Sequence, residues 1–266
     1  MSVAHSIRRW LAPAAKTVAP RRYWRRKFGI LQRLGESHPD VMLARSLCHP
    51  DRISLDIGAS IGEFTIAMLA ASRAVIAFEP RPTQARDLMA MFDAVGASVR
   101  VEAVALSDQP GVTAMRVVPD DPGRSTIDDS NPLSDLGEGG DLVQAIDVPV
   151  RRLDDLELDN VGLVKIDVEG HELAVLRGAA DTLTRNRPAV LVEAEERHHP
   201  HAVASITEFL SGLGYTGYFD VGGTRRPVQE FDPAEHQNPA NIGGREEGWA
   251  VRGVYVNNFV FLPTDS

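Results

Sequence analysis

Two short segments concentrate side chains whose types and spacing suit chemistry. In Asp56-Ile57-Gly58-Ala59-Ser60-Ile61-Gly62 a carboxylate and two glycines follow an apolar run. A glycine turn between a strand and a helix lets the backbone reverse without a Cβ clash and lets a ligand approach amide donors. In Lys165-Ile166-Asp167-Val168-Glu169-Gly170-His171-Glu172, ionisable residues crowd the end of another apolar run. Burying that much charge is costly unless it has a role. The first segment suits binding of a nucleoside-like ligand, and the second suits proton transfer. Each also has a plainer reading, as a structural turn and as a salt-bridged loop with helix-start acids.

The elements that must position these residues follow from periodicity. From about residue 53, short apolar runs alternate with segments of helical period, which predicts parallel strands joined by crossover helices. Strands are expected at Ile53–Ile57, Ala74–Phe78, residues 99–106, Val161–Ile166 and residues 189–192, and then at Tyr215–Val221 and 254–262. Helices are expected over 63–71, after a Thr83 cap with Leu88, Met91 and Phe92 inward, across Leu173, Leu176, Ala180 and Leu183, and across Ile206 to Leu213 with Gly214 closing it. Between Asp108 and Arg152 the chain is dense in Asp, Gly, Pro and Ser, which predicts a hairpin near Gly111 and then a lid rather than a sheet layer. The expected organisation is a basic helical arm over residues 1–50 and a catalytic domain over 51–266, with lid or insertion loops at 119–147 and 222–252.

Composition excludes other classes. The 266 residues are 43% hydrophobic with no run long enough to span a bilayer. Cys48 stands alone, so an internal disulfide is excluded and a reducing, cytoplasmic setting fits. Ser6-Ile7-Arg8-Arg9 faintly matches an export signal, but Pro13, Lys16 and Pro20 interrupt what should be its apolar region. The net charge is −9, yet Arg8, Arg9, Lys16, Arg21, Arg22, Arg25, Arg26, Lys27 and Arg33 all precede Glu36, the first acid. The acidic body repels polyanions, so no nucleic-acid partner is expected. The arm, with Trp10, Tyr23, Trp24 and Phe28 among its charges, is expected either to lie solvated or to touch the inner membrane face peripherally.

Glycines four apart after an aspartate fit the G-x-G-x-x-G turn of nicotinamide enzymes poorly. They resemble motif I of the class I methyltransferases. Glu79, ending the second strand, is placed to accept from ribose hydroxyls, and Ser107 ends the third strand where an adenine would lie. Together with Gly62-Glu63-Phe64-Thr65, Phe78-Glu79-Pro80, Ala105-Leu106-Ser107-Asp108, Lys165 to Glu172, and Pro188 leading to Glu193, the chain resembles the FkbM-type methyltransferases from about Ile53 to Val192. Asn257 to Pro263 is a weaker echo, and Ser60 stands where asparagine is often found.

That resemblance implies a Rossmann-like class I methyltransferase fold: a largely parallel, twisted seven-stranded sheet, helices on both faces and a C-terminal antiparallel strand. It implies S-adenosylmethionine as cofactor, held by Asp56, Gly58, Ala59, Gly62, Glu63, Phe64, Thr65, Glu79, Pro80 and Ser107. The acceptor it implies is a hydroxyl on a sugar, glycolipid or other natural product. His171 is the natural candidate for a base, with Asp167, Glu169 and Lys165 as its companions in catalysis. A divalent cation on Asp167 and Glu193 is a disfavoured alternative for want of ligand spacing. His198, His199 and His201 read as exposed loop histidines. Two competitors stay open: a noncatalytic module that binds S-adenosylmethionine, and a nicotinamide-dependent oxidoreductase.

Overall fold

A computed structural model of the protein describes residues 13–118, 125–128, 131, 143–243 and 251–264. Its main sheet has the order β3-β2-β1-β7-β8-β11-β9-β10, where β1 is Ile53–Ile57, β2 Ala74–Phe78, β3 Val99–Glu102, β7 Val161–Ile166, β8 Ala189–Glu193, β9 Tyr215–Val221, β10 Thr224–Pro227 and β11 Asn258–Pro263. Strands β3, β2, β1, β7 and β8 run parallel, and β11 inserts antiparallel between β8 and β9. This is the class I methyltransferase architecture, with β10 added as an eighth strand by a hairpin at the edge. Every residue of β7 is buried, as a central parallel strand covered on both faces requires.

Alternation along the strands divides the core. Leu55, Ile57, Phe78, Ile166, Val192 and Phe259 pack under α6 (Glu172–Arg177), α7 (Ala180–Asn186) and α8 (Ala202–Gly212). On the other face, Leu163, Leu191 and Val260 meet α3 (Pro39–Ser46) and α4 (Glu63–Leu69) through Ala44 and Met68. The two sets differ by one residue in register, so each strand presents alternate side chains to opposite layers.

Several expectations are corrected. Residues 99–106 are not one strand: β3 stays in the main sheet, while β4 (Ala105–Leu106) joins β6 (Gln144–Arg151) and β5 (Gly111–Val117) in a second, three-stranded sheet. The region after Asp108 therefore does form a sheet layer, sealed by Ala105, Met115, Val148 and Val150. Of the expected lid at 119–147, residues 144–147 belong to β6; residues 119–124, 129–130 and 132–142 lie outside the described residues. The 222–252 segment holds β10 and α9 (Pro233–His236), whose first turn is capped by Asp232 accepting from the Ala234 amide. Residues 244–250 lie outside the described residues.

The helix expected across Leu173 to Leu183 is two, α6 and α7. At the break a Cβ on Gly178 would lie 2.1 Å from the Ser107 carbonyl oxygen, so only glycine lets the loop after β4 press in there. The helix after β2 is α5 (Pro82–Val95), started by proline at its first position behind Arg81 rather than by a Thr83 cap.

The N-terminal region is not a detachable arm where it is described. Helices α1 (Pro13–Val18) and α2 (Pro20–Gly35) precede α3, and Trp24 and Leu31 of α2 are buried against Ala59, Ile66, Leu88, Met91 and Phe92. Phe28 meets Phe92 edge to face with centroids 6.4 Å apart. The aromatic bulk expected to face a membrane is thus buried in the core, because an amphipathic helix lying across the apolar faces of α4 and α5 buries its apolar stripe there. What remains outside is basic: Arg21, Arg22, Arg26 and Arg33 are exposed. Trp10, Arg8 and Arg9 lie outside the described residues.

Candidate functional site

The carboxyl ends of β1, β2 and β7 open onto a cleft of about 130 Å³ that is continuous with solvent. Its walls are Ile57, Phe78, Val104, Leu106, Met115 and Ile127, with Gly58, Glu79, Pro80 and Asp167 at the rim. Glu79 is 1% exposed. Its Oε1 accepts from the Arg81 amide at 2.9 Å and Arg81 Nε at 2.7 Å, and its Oε2 accepts from the Ser60 amide and Arg81 Nη2, each at 2.9 Å. All four acceptor positions of the carboxylate are thereby engaged, so a diol bound here must share them with the Arg81 fork or displace it.

The glycine turn is built for packing more than for amide donation. The Gly58 and Ala59 amides both donate to the Phe78 carbonyl at 3.0 Å, and the Gly62 amide donates to Ala59. Gly58 has φ +86°, and a Cβ there would lie 1.8 Å from the Asp167 carbonyl oxygen. Gly62 has φ +90° and faces Leu88 and Met91 of α5. The expectation that these glycines admit a ligand to free amides is corrected: they admit β7 and α5. Ala59 lies in the core beside Trp24 and Leu31.

Asp56 does not line the cleft. It is fully buried under α4, where Oδ2 accepts from Thr65 Oγ1 at 2.5 Å and Oδ1 lies 3.9 Å from Lys165 Nζ. Asp56 and Lys165 are register partners across β1 and β7, which sets them side by side on the α4 face. Lys165 Nζ also donates to Asp167 Oδ2 at 3.1 Å and sits 4.3 Å from the Phe64 ring centroid. Burial alone would lower the Lys165 pKa; Asp167, Asp56 and Glu193 outweigh it and hold the ammonium above its usual range.

On the same face a second chamber opens, with Glu63, Phe64, Glu169, Glu193, Glu195 and Asn258 among its walls. Strand register explains its acidity. Glu193 pairs with Asn258 across β8 and β11. Asp167 stands one step beyond the Ile166–Val192 pair, beside Glu193, and Asp220 one step beyond the Phe259–Phe219 pair, beside Asn258. Burial, then Asp167 and Glu195, push the Glu193 carboxyl well above the usual range, and Lys165 only partly offsets them. Asn257 Nδ2 donates to Glu193 Oε1 at 2.6 Å. Burial would raise Glu195 too, but Arg197, donating Nε and Nη2 at 2.6 and 2.8 Å, holds it low, and Tyr255 donates to it as well.

The loop between β7 and α6 carries backbone strain, as does Ser60 (φ +49°) in the turn after β1. Glu169 (φ +54°) and Gly170 (φ +103°) are both left-handed, a conformation costing about 1–2 kcal/mol at a non-glycine residue. Glu172 holds it: its Oε1 accepts from the Gly170 amide at 2.9 Å and from the Val168 amide at 3.4 Å. Glu169 meets His198 Nε2 at 3.2 Å, so His198, 7% exposed, is a buried partner of the site rather than an exposed loop histidine; His199 and His201 are exposed as expected.

Burial pushes the Glu172 carboxyl up to about 7 despite its amide donors. A raised folded-state pKa means that the native state holds the proton more tightly than the unfolded chain does. The group's contribution to stability is therefore complete below its ordinary pKa and is lost as pH rises through about 7, a loss of roughly 3 kcal/mol by about pH 8. Glu172→Gln, which keeps an acceptor without the charge, is expected to flatten stability between about pH 5 and 8 and to exceed the parent at the upper end. Urea titrations at both pH values check this; parallel pH profiles for the two proteins would sink it.

His171 is turned away from both chambers. Its Nε2 lies 2.9 Å from Ser107 Oγ, and it opens instead onto a separate recess with Asp128, Arg177 and His199. Burial lowers its pKa, so it is neutral near pH 7. Of the expected catalytic group, the structure brings together Asp167, Glu169 and Lys165 and separates His171. Ser107 goes with His171 and does not line the cleft. Pro80 lines the first chamber, Glu63 and Phe64 line the second, and Thr65 reaches the site through Asp56.

Sequence reasoning missed Arg81, Met115 of the second sheet and Ile127 packed beside it, which close the cleft, and Arg197 and Tyr255 in the second chamber. For Arg81 a signal existed in its place two residues after Glu79; for the others none did. Among the described residues, no three His, Cys, Asp or Glu side chains converge on a single point as metal ligands.

The chain is similar to known proteins of one family. The FkbM methyltransferase domain model matches residues 56–216. Methyltransferase 1 of Beauveria bassiana is 30% identical over 151 residues, covering 49% of this chain and 59% of that protein. The 31-O-demethyl-FK506 methyltransferase FkbM of Streptomyces tacrolimicus is 30% identical over 196 residues, covering 63% of this chain and 74% of that protein. The chain thus spans little more than half the length of the first of these. Among solved structures, methyltransferase FkbM of Methylobacillus flagellatus matches with a TM-score of 0.48 at 16% identity, covering 79% of this chain and 43% of that one. With well over half of its length matched by the domain model, and with both chambers at the carboxyl ends of the parallel strands, the chain belongs to the FkbM methyltransferase domain family.

Proposed function

We propose that this protein transfers a methyl group from S-adenosylmethionine to a hydroxyl oxygen of a sugar, glycolipid or other small natural product. The observation that carries the reading is the pairing of two chambers at one end of the sheet: an apolar cleft with a buried carboxylate at its rim, and an acidic chamber that shares Glu169 with it. The apolar walls and Glu79 suit a purine and a ribose diol respectively. Bound there, S-adenosylmethionine supplies an activated methyl group and an excellent leaving group, so the protein's task is mainly positioning. The name of the Streptomyces relative, which specifies an O-demethyl substrate, supports oxygen as the acceptor atom.

The acceptor proton falls to the acidic row rather than to His171, which faces elsewhere. Glu193, made more basic by its surroundings, is the strongest proton acceptor there when ionised, and Asp167, held by Lys165, is the nearest to the cleft. No divalent cation enters this proposal.

Calorimetry with S-adenosylhomocysteine and with NAD tests the cofactor, and labelled methyl transfer across sugars and glycolipids tests the reaction. Binding of NAD alone would favour an oxidoreductase, and cofactor binding without transfer to any acceptor a noncatalytic module. Glu79→Gln is expected to weaken S-adenosylhomocysteine binding by roughly 1–3 kcal/mol, because a charged acceptor for the diol is lost. Unchanged affinity in a variant that melts normally would move the ribose site elsewhere.

We also propose peripheral contact with anionic lipid through the outer face of α2. At about 1 kcal/mol per cation near such a surface, replacing Arg21, Arg22, Arg26 and Arg33 by Gln should abolish co-sedimentation with phosphatidylglycerol vesicles. Equal sedimentation of parent and variant would refute it.

A further inference from the structure

Beyond the last paired residues of β8 and β11, a side chain takes the place of the strand ladder. Glu193 pairs with Asn258, and the Ala194 amide donates to the Asn257 carbonyl at 2.8 Å. The next backbone groups turn to Gln237, the residue that follows α9. Its Nε2 donates to the Ala194 carbonyl at 2.7 Å and to the Val256 carbonyl at 2.8 Å, and its Oε1 accepts from the Glu196 amide at 2.9 Å. One acceptor and two N–H donors on a single planar group is what an uncharged amide supplies; a carboxylate offers no donor and an ammonium no acceptor. Gln237 is 6% exposed, so this is a buried cross-link rather than a surface contact.

Alternation shows what the cross-link holds. Ala194 and Val256 turn into the core, so their neighbours Glu193, Glu195, Tyr255 and Asn257 face the acidic chamber. Both carboxylates take donors from the facing segment: Asn257 Nδ2 reaches Glu193 Oε1 at 2.6 Å, and the Tyr255 hydroxyl donates to Glu195. Asn257 is fixed on both sides, by Gln237 through the peptide before it and by the Ala194 amide through its own carbonyl. The Val256 amide is held as well, donating to the His236 carbonyl at 2.7 Å. Gln237 does not itself line the chamber.

We propose that Gln237 is a positioning residue for the reaction: its amide sets the end of β8 against residues 255–257 and so holds Asn257 on Glu193. Its part in catalysis rests on the methyl-transfer reading; its coupling to Glu193 does not. The Asn257 donor favours the ionised carboxylate, the form that can take a hydroxyl proton.

The test uses the full chain without acceptor, labelled with carbon-13 at the glutamate carboxyls, and follows the Glu193 resonance against pH; Glu193→Gln identifies it. Asn257→Leu removes a donor to the ionised form and should raise the Glu193 midpoint by about half a pH unit or more, roughly threefold in the protonation equilibrium. Gln237→Met, of similar length but without the amide, should raise it too, and the double variant should raise it no further than Asn257→Leu alone. Asp167, Glu195, Lys165 and Glu169 also act on Glu193 and are the same in every variant.

Asn186 supplies the control. Its side chain accepts from the Val161 amide and donates to the Leu158 and Thr182 carbonyls, a similar three-way cross-link at the amino end of the parallel strands. Asn186→Leu should lower the melting temperature and leave the Glu193 midpoint in place. An unmoved midpoint in Gln237→Met, shifts that add in the double variant, or an equal shift in Asn186→Leu would overturn the proposal. If Gln237→Met does not fold, Gln237→Asn, which withdraws the same amide by one methylene, is read in its place and should give a smaller shift of the same sign. With an acceptor found by labelled transfer, kcat of Gln237→Met should fall about tenfold while S-adenosylhomocysteine affinity stays within about twofold. Absence of transfer to any acceptor counts against the proposed function, and the Glu193 titration still decides the positioning.

Discussion

Gly58→Ala is expected to destabilise the protein by more than about 4 kcal/mol, at the extreme of single-substitution effects. At φ +86° an alanine is strained, but the greater cost is steric: its Cβ would lie 1.8 Å from the Asp167 carbonyl oxygen, a backbone atom that cannot swing aside. Relief requires β1 and β7 to separate where they are hydrogen-bonded on either side of the turn. Two other left-handed glycines calibrate the effect. At Gly62 (φ +90°) the nearest atoms are the Leu88 and Met91 side-chain ends, at 2.8 and 3.1 Å, which can shift. At Gly96 (φ +67°) nothing lies within 4 Å, so alanine there costs only the backbone strain of about 1–2 kcal/mol. Denaturant midpoints should rank the losses as Gly58, then Gly62, then Gly96. A Gly58→Ala protein as stable as Gly96→Ala would show that the turn does not press against β7. The consequence for function is that loss of cofactor binding in a Gly58 variant reports a broken sheet before it reports a blocked cleft.

The same glycine shows what the sequence could and could not reveal. Asp56-Ile57-Gly58 announces a strand, a turn and a helix start by residue type alone, and those elements form. What a Cβ at Gly58 would touch depends on Asp167, more than a hundred positions away, and no local pattern encodes that contact. The parallel strands were legible because burial on both faces gives continuous apolar runs such as Val161–Ile166. The second sheet was not, because β5 and β6 leave most of their residues exposed or half-buried and bury only Met115, Val148 and Val150. Polar, Pro- and Gly-containing sequence that pairs for its backbone hydrogen bonds looks like loop until the partner strand is seen. The N-terminal helices failed in the opposite sense: Trp24 and Phe28 among arginines suit a membrane surface equally well, and only the apolar face of α5, with Leu88, Met91 and Phe92, decides for the core.

Within the site, charge was legible and direction was not. Lys165 to Glu172 was recognisable as an expensive concentration of ionisable groups, and strand alternation does place Lys165 and Asp167 on one face. Past Asp167 the period of two ends. The left-handed pair Glu169 and Gly170 redirects the chain, so His171, the most attractive base by residue type, ends against Ser107 instead of beside Glu193. Glu193 and Asn258, weak signals in the sequence, become central because β11 inserts next to β8 and brings the C-terminal segment to the row.

Lys165→Met tests whether that row is held by one buried cation. Methionine matches the length and apolar stem of lysine, so packing against Phe64 is largely kept while the charge is lost. Asp56, Asp167 and Glu193 would then share a buried site without compensation, and breaking such a set by removing one partner costs about 3–5 kcal/mol. The sign of the pH dependence separates this account from a packing defect. Burial already raises the pKa of both Asp56 and Glu193 in the presence of Lys165, with like charges adding to it. A carboxyl with a raised folded-state pKa contributes fully below its ordinary pKa and loses that contribution as pH rises. Removing the ammonium raises both further, so the deficit of the variant should be greatest near pH 8 and should narrow as pH falls toward about 5 and the carboxyls take up protons. Adding Asp56→Asn to Lys165→Met should recover part of the loss, because the amide still accepts from Thr65 and no longer carries charge. A deficit that stays constant with pH, or a double variant less stable than Lys165→Met, would mean that Lys165 serves as packing and that the acidic row balances its charge in another way.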